Sequence, residues 1–287
     1  MSKVINCENF KNIPSLASGI GYREPWAKGL LSETGNGIDF LEITADHFID
    51  SPKWKIDQLK ELRQRFTLIP HGLDLSLGSA EGIDEKYLEK LISIIEIVDP
   101  PYWSEHLAFT KAGGLELGHL APLPFSNEAI DVVAKNVQKV RGLISLPLIL
   151  ENITYGINMP GHEMSEAKFI RESLKAADCG WLLDVTNLHV NSVNHSFDVS
   201  EFLEEAPTER VVQLHYVGFS SNKKGYLIDD HGSPVNDEIW QLMDEVLAVC
   251  PAKGTILERD SKFPLFSEII DEAERARSIG KKYKRWD

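Results

Sequence analysis

Leu148-Ile149-Leu150-Glu151 is a short apolar run that ends on a carboxylate, and the pattern recurs along the chain. It appears as Leu68-Ile69-Pro70-His71, Trp103-Ser104-Glu105-His106, Trp181-Leu182-Leu183-Asp184, Val212-Gln213-Leu214-His215 and Thr255-Ile256-Leu257-Glu258. A strand buried on both faces reads as a continuous apolar run of this length. Each run is therefore read as a buried strand that delivers one polar side chain at its C-terminal end. Asp229-Asp230-His231 follows the His215 run in what reads as a glycine-flanked loop. Strand ends spaced by tens of residues imply a ring of parallel strands aimed at one place, and His, Asp and Glu together there suggest metal.

Working outward, short apolar runs alternate with amphipathic stretches, the βα pattern of a parallel sheet. Strands are expected over residues 18–22, 38–43, 67–69, 102–105, 146–150, 181–183, 210–214 and 255–257. Helices are expected over 54–65, 84–97, 127–143 (with Ser126 as N-cap), 165–177, 199–205, 235–249 and 264–277. Eight strand–helix alternations within 287 residues fit a single (β/α)8 TIM barrel spanning 1–287. An open doubly wound sheet collects its site at one switch point, so ligands dispersed over many strand ends favour the barrel. The tail K-K-Y-K-R-W-D reads as basic and exposed.

Composition narrows the function. The net charge of −14 argues against a broad nucleic-acid surface, which needs clustered Lys and Arg. Cys7, Cys179 and Cys250 are widely spaced and form no CxxC, which argues against a disulfide framework or a thiolate zinc site and fits a reducing cytoplasm. The N-terminus lacks a signal-peptide core, and no apolar run approaches the ~18 residues of a membrane span.

The ligand candidates are weighed one by one. A lone His is usually a satisfied core or loop residue, but His71, His106 and His215 occupy strand ends whose sister positions carry carboxylates. His47 follows the second strand at a greater remove. His119, His162, His189 and His195 are assigned to loops. Glu151, Asp184 and Glu258 are costly to bury without a cation. Arg259 could supply a salt bridge to Glu258, yet the strand ends hold more carboxylates than basic residues. Asp229 and His231, two apart in an extended segment, would point the same way, although D-D-H-G is also good turn sequence. His71, His106, Glu151, Asp184, His215, Asp229, His231 and Glu258 exceed what one metal uses, which points to two or three metals sharing carboxylates. Asn187 could add a carbonyl oxygen. Arg23, closing G-I-G-Y-R, would face the barrel mouth and bind an anionic substrate group or form a structural ion pair. That segment lacks the spacing of a phosphate loop.

The order of these residues is similar to the trinuclear-metal barrels of the endonuclease IV and xylose-isomerase-like superfamily. The local wording is closer to another branch: G-I-G-Y-R, H-G-L-D-L-S-L-G, W-S-E-H-L-A-F, L-E-N-I-T-Y and L-L-D-V-T-N-L-H-V. It resembles the multinuclear non-haem iron-dependent oxidative enzymes, long classed as a domain of unknown function, over nearly the whole chain. The resemblance implies a xylose-isomerase-like barrel holding two or three iron ions and using dioxygen. It implies oxidation of cysteine residues in a ribosomally made precursor peptide, to oxazolone and thioamide or with loss of the β-carbon, with a partner protein that holds the leader. It places His71, His106, Glu151, Asp184, Asn187, His215, Asp229, His231 and Glu258 in the ligand shell. Where the endonuclease branch has a His three residues after the Asp, this chain has Asn187, a harder ligand that suits iron better than zinc. The competing readings are a zinc-dependent phosphodiesterase resembling an abasic-site endonuclease, a sugar isomerase or epimerase on the same barrel, and a non-catalytic partner-binding barrel.

Overall fold

The computed structural model describes residues 9–32 and 37–287; Cys7 lies outside the described residues. In chain order the elements are β1 (Ala17–Gly21), α1 (Ala27–Leu30), β2 (Phe40–Thr44), α2 (Lys53–Arg63), β3 (Thr67–His71), α3 (Glu85–Val98), β4 (Trp103–His106), β5 (Phe109–Ala112), β6 (Leu115–Ala121), α4 (Asn127–Arg141), β7 (Leu148–Glu151), α5 (Glu166–Ala177), β8 (Gly180–Asp184), α6 (Val185–His195), α7 (Val199–Glu205), β9 (Val211–Tyr216), β10 (Gly218–Ser221), β11 (Leu227–Ser233), α8 (Asp237–Val249), β12 (Gly254–Leu257) and α9 (Phe266–Lys282). Strands β1, β2, β3, β4, β7, β8, β9 and β12 pair in parallel and close on themselves, β1 against both β2 and β12. This is the (β/α)8 barrel expected from the runs. The four strands β7, β8, β9 and β12 are buried at every position, which is why they read as unbroken apolar runs.

Helix boundaries follow local chemistry. Asp84 accepts from the backbone N–H of Lys86 and Tyr87 at the start of α3, and Ser126 from Ala129 at the start of α4. The amphipathic face of α3 buries Leu88, Leu91, Ile94, Ile95 and Val98 against the barrel.

The lower part of the barrel interior is a separate apolar cluster of Phe40, Ile69, Tyr102, Ile149, Leu182, Val212 and Ile256, closed from below by Phe10 and Ile13. Phe40 fits because two neighbouring strands carry glycine. A Cβ on Gly19 would stand 2.5 Å from the Phe40 carbonyl oxygen, and one on Gly254 would stand 2.9 Å from its ring. The first glycine of G-I-G-Y-R thus serves strand packing.

Three expectations are corrected. His189 and His195 are on helix α6, not in loops, and His119 is on strand β6; only His162 is in a loop. Asp229 and His231 belong to β11, which pairs antiparallel with β10 as a hairpin over the barrel mouth. A second hairpin, β5–β6, follows β4. The C-terminal tail is not simply exposed: Trp286 is buried, packs against Gly280 and donates its indole N–H to the Arg277 carbonyl. Among the described residues no helix is long and apolar enough to cross a membrane.

Candidate metal centre

Side chains alternate along a strand, so the positions two residues beyond the apolar layer point inward one storey higher. Ile69 leads to His71, Ile149 to Glu151, Leu182 to Asp184 and Ile256 to Glu258. The register keeps them level: His106 stands opposite Glu151, and Asp184 opposite His215. The mouth of the barrel is thereby lined with ionisable groups directly above an apolar floor.

Three groups of ligand atoms result, each with its members within 4.8 Å of one another: His71, His106 and Glu151; Glu151, Asp184, His215 and Glu258; and His231, Glu258 and Asp260. Glu151 belongs to the first and second groups and Glu258 to the second and third. The three form a chain linked by two shared carboxylates. His71 Nε2 and His106 Nε2 lie 3.3 and 3.4 Å from the same Glu151 oxygen. His215 Nδ1 lies 3.3 Å from Glu151 and 3.2 Å from Glu258. Asp229 approaches His231 Nε2 at 3.0 Å.

The opposite edge of each imidazole is held. His106 Nδ1 donates to the Gly72 carbonyl at 3.1 Å, and His71 Nδ1 meets the Ser104 hydroxyl at 2.8 Å. His215 Nε2 donates to Glu42, with an N–O distance of 2.9 Å. Glu42 also accepts from Gln213 Nε2 at 2.7 Å, and Gln213 accepts from the Tyr102 hydroxyl at 2.5 Å. A hydrogen-bond column thus runs from the apolar floor to His215. On the other side, Asn152 accepts from the Asp184 N–H and from the Trp181 indole and donates to the Asp184 carbonyl. The backbone carbonyl of Asn152 accepts from Asn187 Nδ2 at 2.9 Å, which turns the Asn187 oxygen away. Such partners fix the orientation of a ligand side chain and tune its basicity.

Several of the most buried polar atoms in the cluster have no hydrogen-bond partner: Glu151 Oε2, Asp184 Oδ2, Asn187 Oδ1, His215 Nδ1, Asp229 Oδ1 and His231 Nδ1. Native interiors satisfy nearly all such atoms, and here the orphans converge. Charge tells the same story. Burial, then the Glu151 and Asp229 carboxylates, push the Asp184 carboxyl well above its ordinary range. Burial works against a charged His215, but Glu42, Glu151 and Glu258 outweigh it and hold the imidazole well above its usual value. Protons are recruited where positive charge is short. Arg259 does not supply it, since its guanidinium turns outward to Glu272 at 3.0 Å. Arg23 reaches the rim, paired with Asp260 and 3.9 Å from Glu258.

Three contributors were missed in the sequence. Glu42 lies inside the run F-L-E-I-T rather than at its end, and a lone carboxylate amid buried residues was the available signal. Glu105 is buried beside His106 and accepts from the Leu75 N–H at 2.9 Å, pinning the loop after β3. Asp260 lies in coil two residues past Glu258; its N–H donates to the His231 carbonyl at 2.8 Å and ties the hairpin to the barrel. His231 itself has φ of +46°, a left-handed conformation costly for a non-glycine residue and retained where surrounding contacts enforce it. His47 is exposed beside the mouth and belongs to none of the three groups.

Residues 17–281 match the family model described as the RiPP precursor modification enzymes MbnB/TglH/ChrH, where RiPP denotes a ribosomally synthesised and post-translationally modified peptide. The chain belongs to the MbnB/TglH/ChrH family. Its curated relatives include a UPF0276 protein of Shewanella oneidensis, 35% identical over 254 residues, covering 88% of this chain and 90% of the relative. Another, from Caulobacter vibrioides, is 31% identical over 260 residues, 91% of this chain and 92% of the relative. Among solved structures, 3-keto-D-glucoside 4-epimerase from E. coli superposes with a TM-score of 0.55 at 13% identity, over 91% of this chain and 98% of that one. D-Psicose 3-epimerase from Clostridium cellulolyticum does so at 0.55 and 12%, over 92% and 94%. At that identity the likeness is one of fold alone, the (β/α)8 barrel. Two stretches of this chain are accounted for by contacts: in L-E-N, Glu151 joins two ligand groups while Asn152 braces Asp184, and in L-L-D-V-T-N, Asp184 caps α6 while Asn187 presents its oxygen.

Proposed function

We propose that this protein is an iron-dependent oxidase that modifies cysteine residues of a ribosomally synthesised precursor peptide, with dioxygen as co-substrate. The observation that carries the reading is the chain of three ligand groups joined through Glu151 and Glu258, with its orphaned atoms converging in a family of precursor-modifying enzymes. His71, His106 and Glu151 would hold one ion, Asp184, His215 and the two shared glutamates a second, and His231, Glu258 and Asp260 a third. Asn187 and Asp229 border the shell and complete it. The mixture of imidazole, carboxylate and amide oxygen suits iron, and among the described residues no cysteine joins these groups to favour zinc. Bound iron supplies one-electron chemistry with dioxygen and a site for the substrate thiolate.

The protein's own groups do the rest. Glu42 keeps the His215 ring in the tautomer that leaves Nδ1 free for metal. The Gly72 carbonyl does the same for His106 Nε2. Asn152 fixes both Asp184 and Asn187. Arg23, held by Asp260, marks the rim where substrate enters. The precursor peptide and a leader-holding partner protein are the implied partners. The test is oxygen uptake by protein loaded with ferrous iron, in the presence of a cysteine-containing precursor peptide, with mass analysis of the product. Full activity in iron-free protein would defeat the proposal. Cleavage of abasic duplex DNA by zinc-loaded protein would favour the phosphodiesterase reading instead.

A further inference from the structure

Next to the third ligand group lies a cavity of about 460 Å³, whose lining includes Glu258 and Asp260 together with Arg23, His47, Phe48 and Lys55. Its composition runs against the rest of the mouth. The three ligand groups are carboxylates and imidazoles, whereas the lining of this cavity adds two permanent cations, Arg23 and Lys55, with the Glu24 carboxylate also among its residues. Arg23 is engaged by Asp260. Lys55 is half-buried, lays its ammonium 5.2 Å from the centre of the Phe48 ring, and has no carboxylate partner among the described residues. His47 feels both: after partial burial, the charges of Arg23 and Lys55 are the main causes that hold its imidazole below the ordinary value.

The placement of Lys55 is itself unfavourable in the free protein. It stands at the start of α2, whose first turn has no acidic residue and whose N-cap, Pro52, offers no capping side chain. A cation there opposes the helix dipole, which favours an anion beside it. An unpaired cation at a helix start, lining a cavity that opens onto a ligand group, is the arrangement expected of an anion subsite.

We infer that this cavity receives a carboxylate of the peptide substrate, gripped by Lys55 with Arg23 and His47 beside it, so that the neighbouring residue of the peptide faces Glu258 and Asp260. This rests on the peptide-modifying reading of the centre. The carboxylate has two possible sources, the peptide C-terminus or an acidic side chain next to the reacting residue. Lys55 is a positioning residue: it touches substrate at a distance from the reacting atoms.

The test is binding under argon to iron-loaded protein, read by calorimetry with three probes. These are acetyl-Gly-Cys with a free C-terminus, acetyl-Asp-Cys-amide and acetyl-Asn-Cys-amide. At least one of the first two is expected to bind about tenfold more tightly than the third, and the stronger identifies the source of the carboxylate. Lys55→Met, which keeps the stem on Phe48, should erase that preference with iron content unchanged, and Lys55→Arg should restore it. Lys60→Met, an exposed change on the same helix, should leave it intact. Equal affinity for the three probes, no binding of either carboxylate probe at about 10 mM, or a preference that survives Lys55→Met overturns the inference. Oxygen uptake with the same peptides is scored separately. Preference without turnover counts against the oxidase reading alone, and turnover without preference counts against the subsite alone.

Discussion

The two storeys of the barrel interior are built from the same strands and differ by a step of two residues. The lower storey, centred on Phe40, Ile69, Ile149, Leu182 and Ile256, is apolar and closely packed, with glycines at 19 and 254 admitting the Phe40 ring. The upper storey replaces those side chains with Glu42, His71, Glu151, Asp184 and Glu258, and leaves buried polar atoms without partners. A fold seeking only stability would satisfy or remove such atoms, because each costs about 1–3 kcal/mol when orphaned. The lower storey bears the fold, and the upper storey is held in an unfavourable state that a bound cation would relieve.

That contrast can be broken from either side. The largest expected effect is on Glu151, which is shared by two ligand groups. Glu151→Gln should lower turnover by about a thousandfold or more and reduce bound metal. The metal-free protein should melt only slightly lower than wild type: burial disfavours the Glu151 carboxylate, but the His215 and His106 imidazoles outweigh it, and those contacts are lost. Metal analysis and calorimetry on the same sample check both halves. The opposite pattern is expected of Phe40→Ala, which should cost about 3–5 kcal/mol in denaturant unfolding while the remaining folded protein still binds metal. If the two variants behaved alike, the division into storeys would be wrong.

A smaller effect sharpens the link between storeys. Glu42 is the carboxylate that orients His215 and ends the column from Tyr102 through Gln213. Glu42→Gln keeps the shape but weakens the hold on the imidazole. Metal affinity should fall by about 10–100-fold, measured by competition with a chelator, with little change in unfolding free energy.

The smallest effect concerns a carboxyl outside the mouth. Glu166 accepts from the Tyr155 hydroxyl at 2.9 Å, and burial pushes its carboxyl up to about 7 despite that bond. A folded-state value above the unfolded one makes the contribution to stability complete below the ordinary carboxyl value, about 4.5, and lost as pH rises through about 7. Glu166→Gln does not titrate. Its stability relative to wild type should therefore improve between pH 4.5 and 8, by up to ~2 kcal/mol once partial solvent screening is allowed for. Parallel pH profiles for the two proteins would show that this acid ionises freely. The comparison sets a buried acid outside the mouth against those at the mouth, which gather around a shared centre.

Much of this architecture was legible in the sequence because parallel strands buried on both faces leave an unmistakable trace, a short apolar run with a polar stop. The barrel and the alignment of His71, His106, Glu151, Asp184, His215 and Glu258 follow from it. What escaped had weaker physical signals. Helix α6 is written V-T-N-L-H-V-N-S-V-N-H, almost devoid of strong helix formers. It is held instead by the Asp184 cap and by tertiary bonds from Asn187, Asn191 and Asn194. The two hairpins are short and half-exposed, with only their turns, A-G-G-L and N-K-K-G, to announce them. Asp260 sits in coil, where no periodicity marks a direction, and only the folded chain brings it to His231.

The central claim is that the barrel mouth holds a linked cluster of iron ions. Metal analysis with Mössbauer spectroscopy on protein purified with ferrous iron under argon tests it most directly. The account predicts two or three irons per chain with signals showing coupling between them, and loss of that coupling in Glu151→Gln. A single uncoupled iron, or protein that holds only zinc while turning over its peptide at full rate, would contradict it.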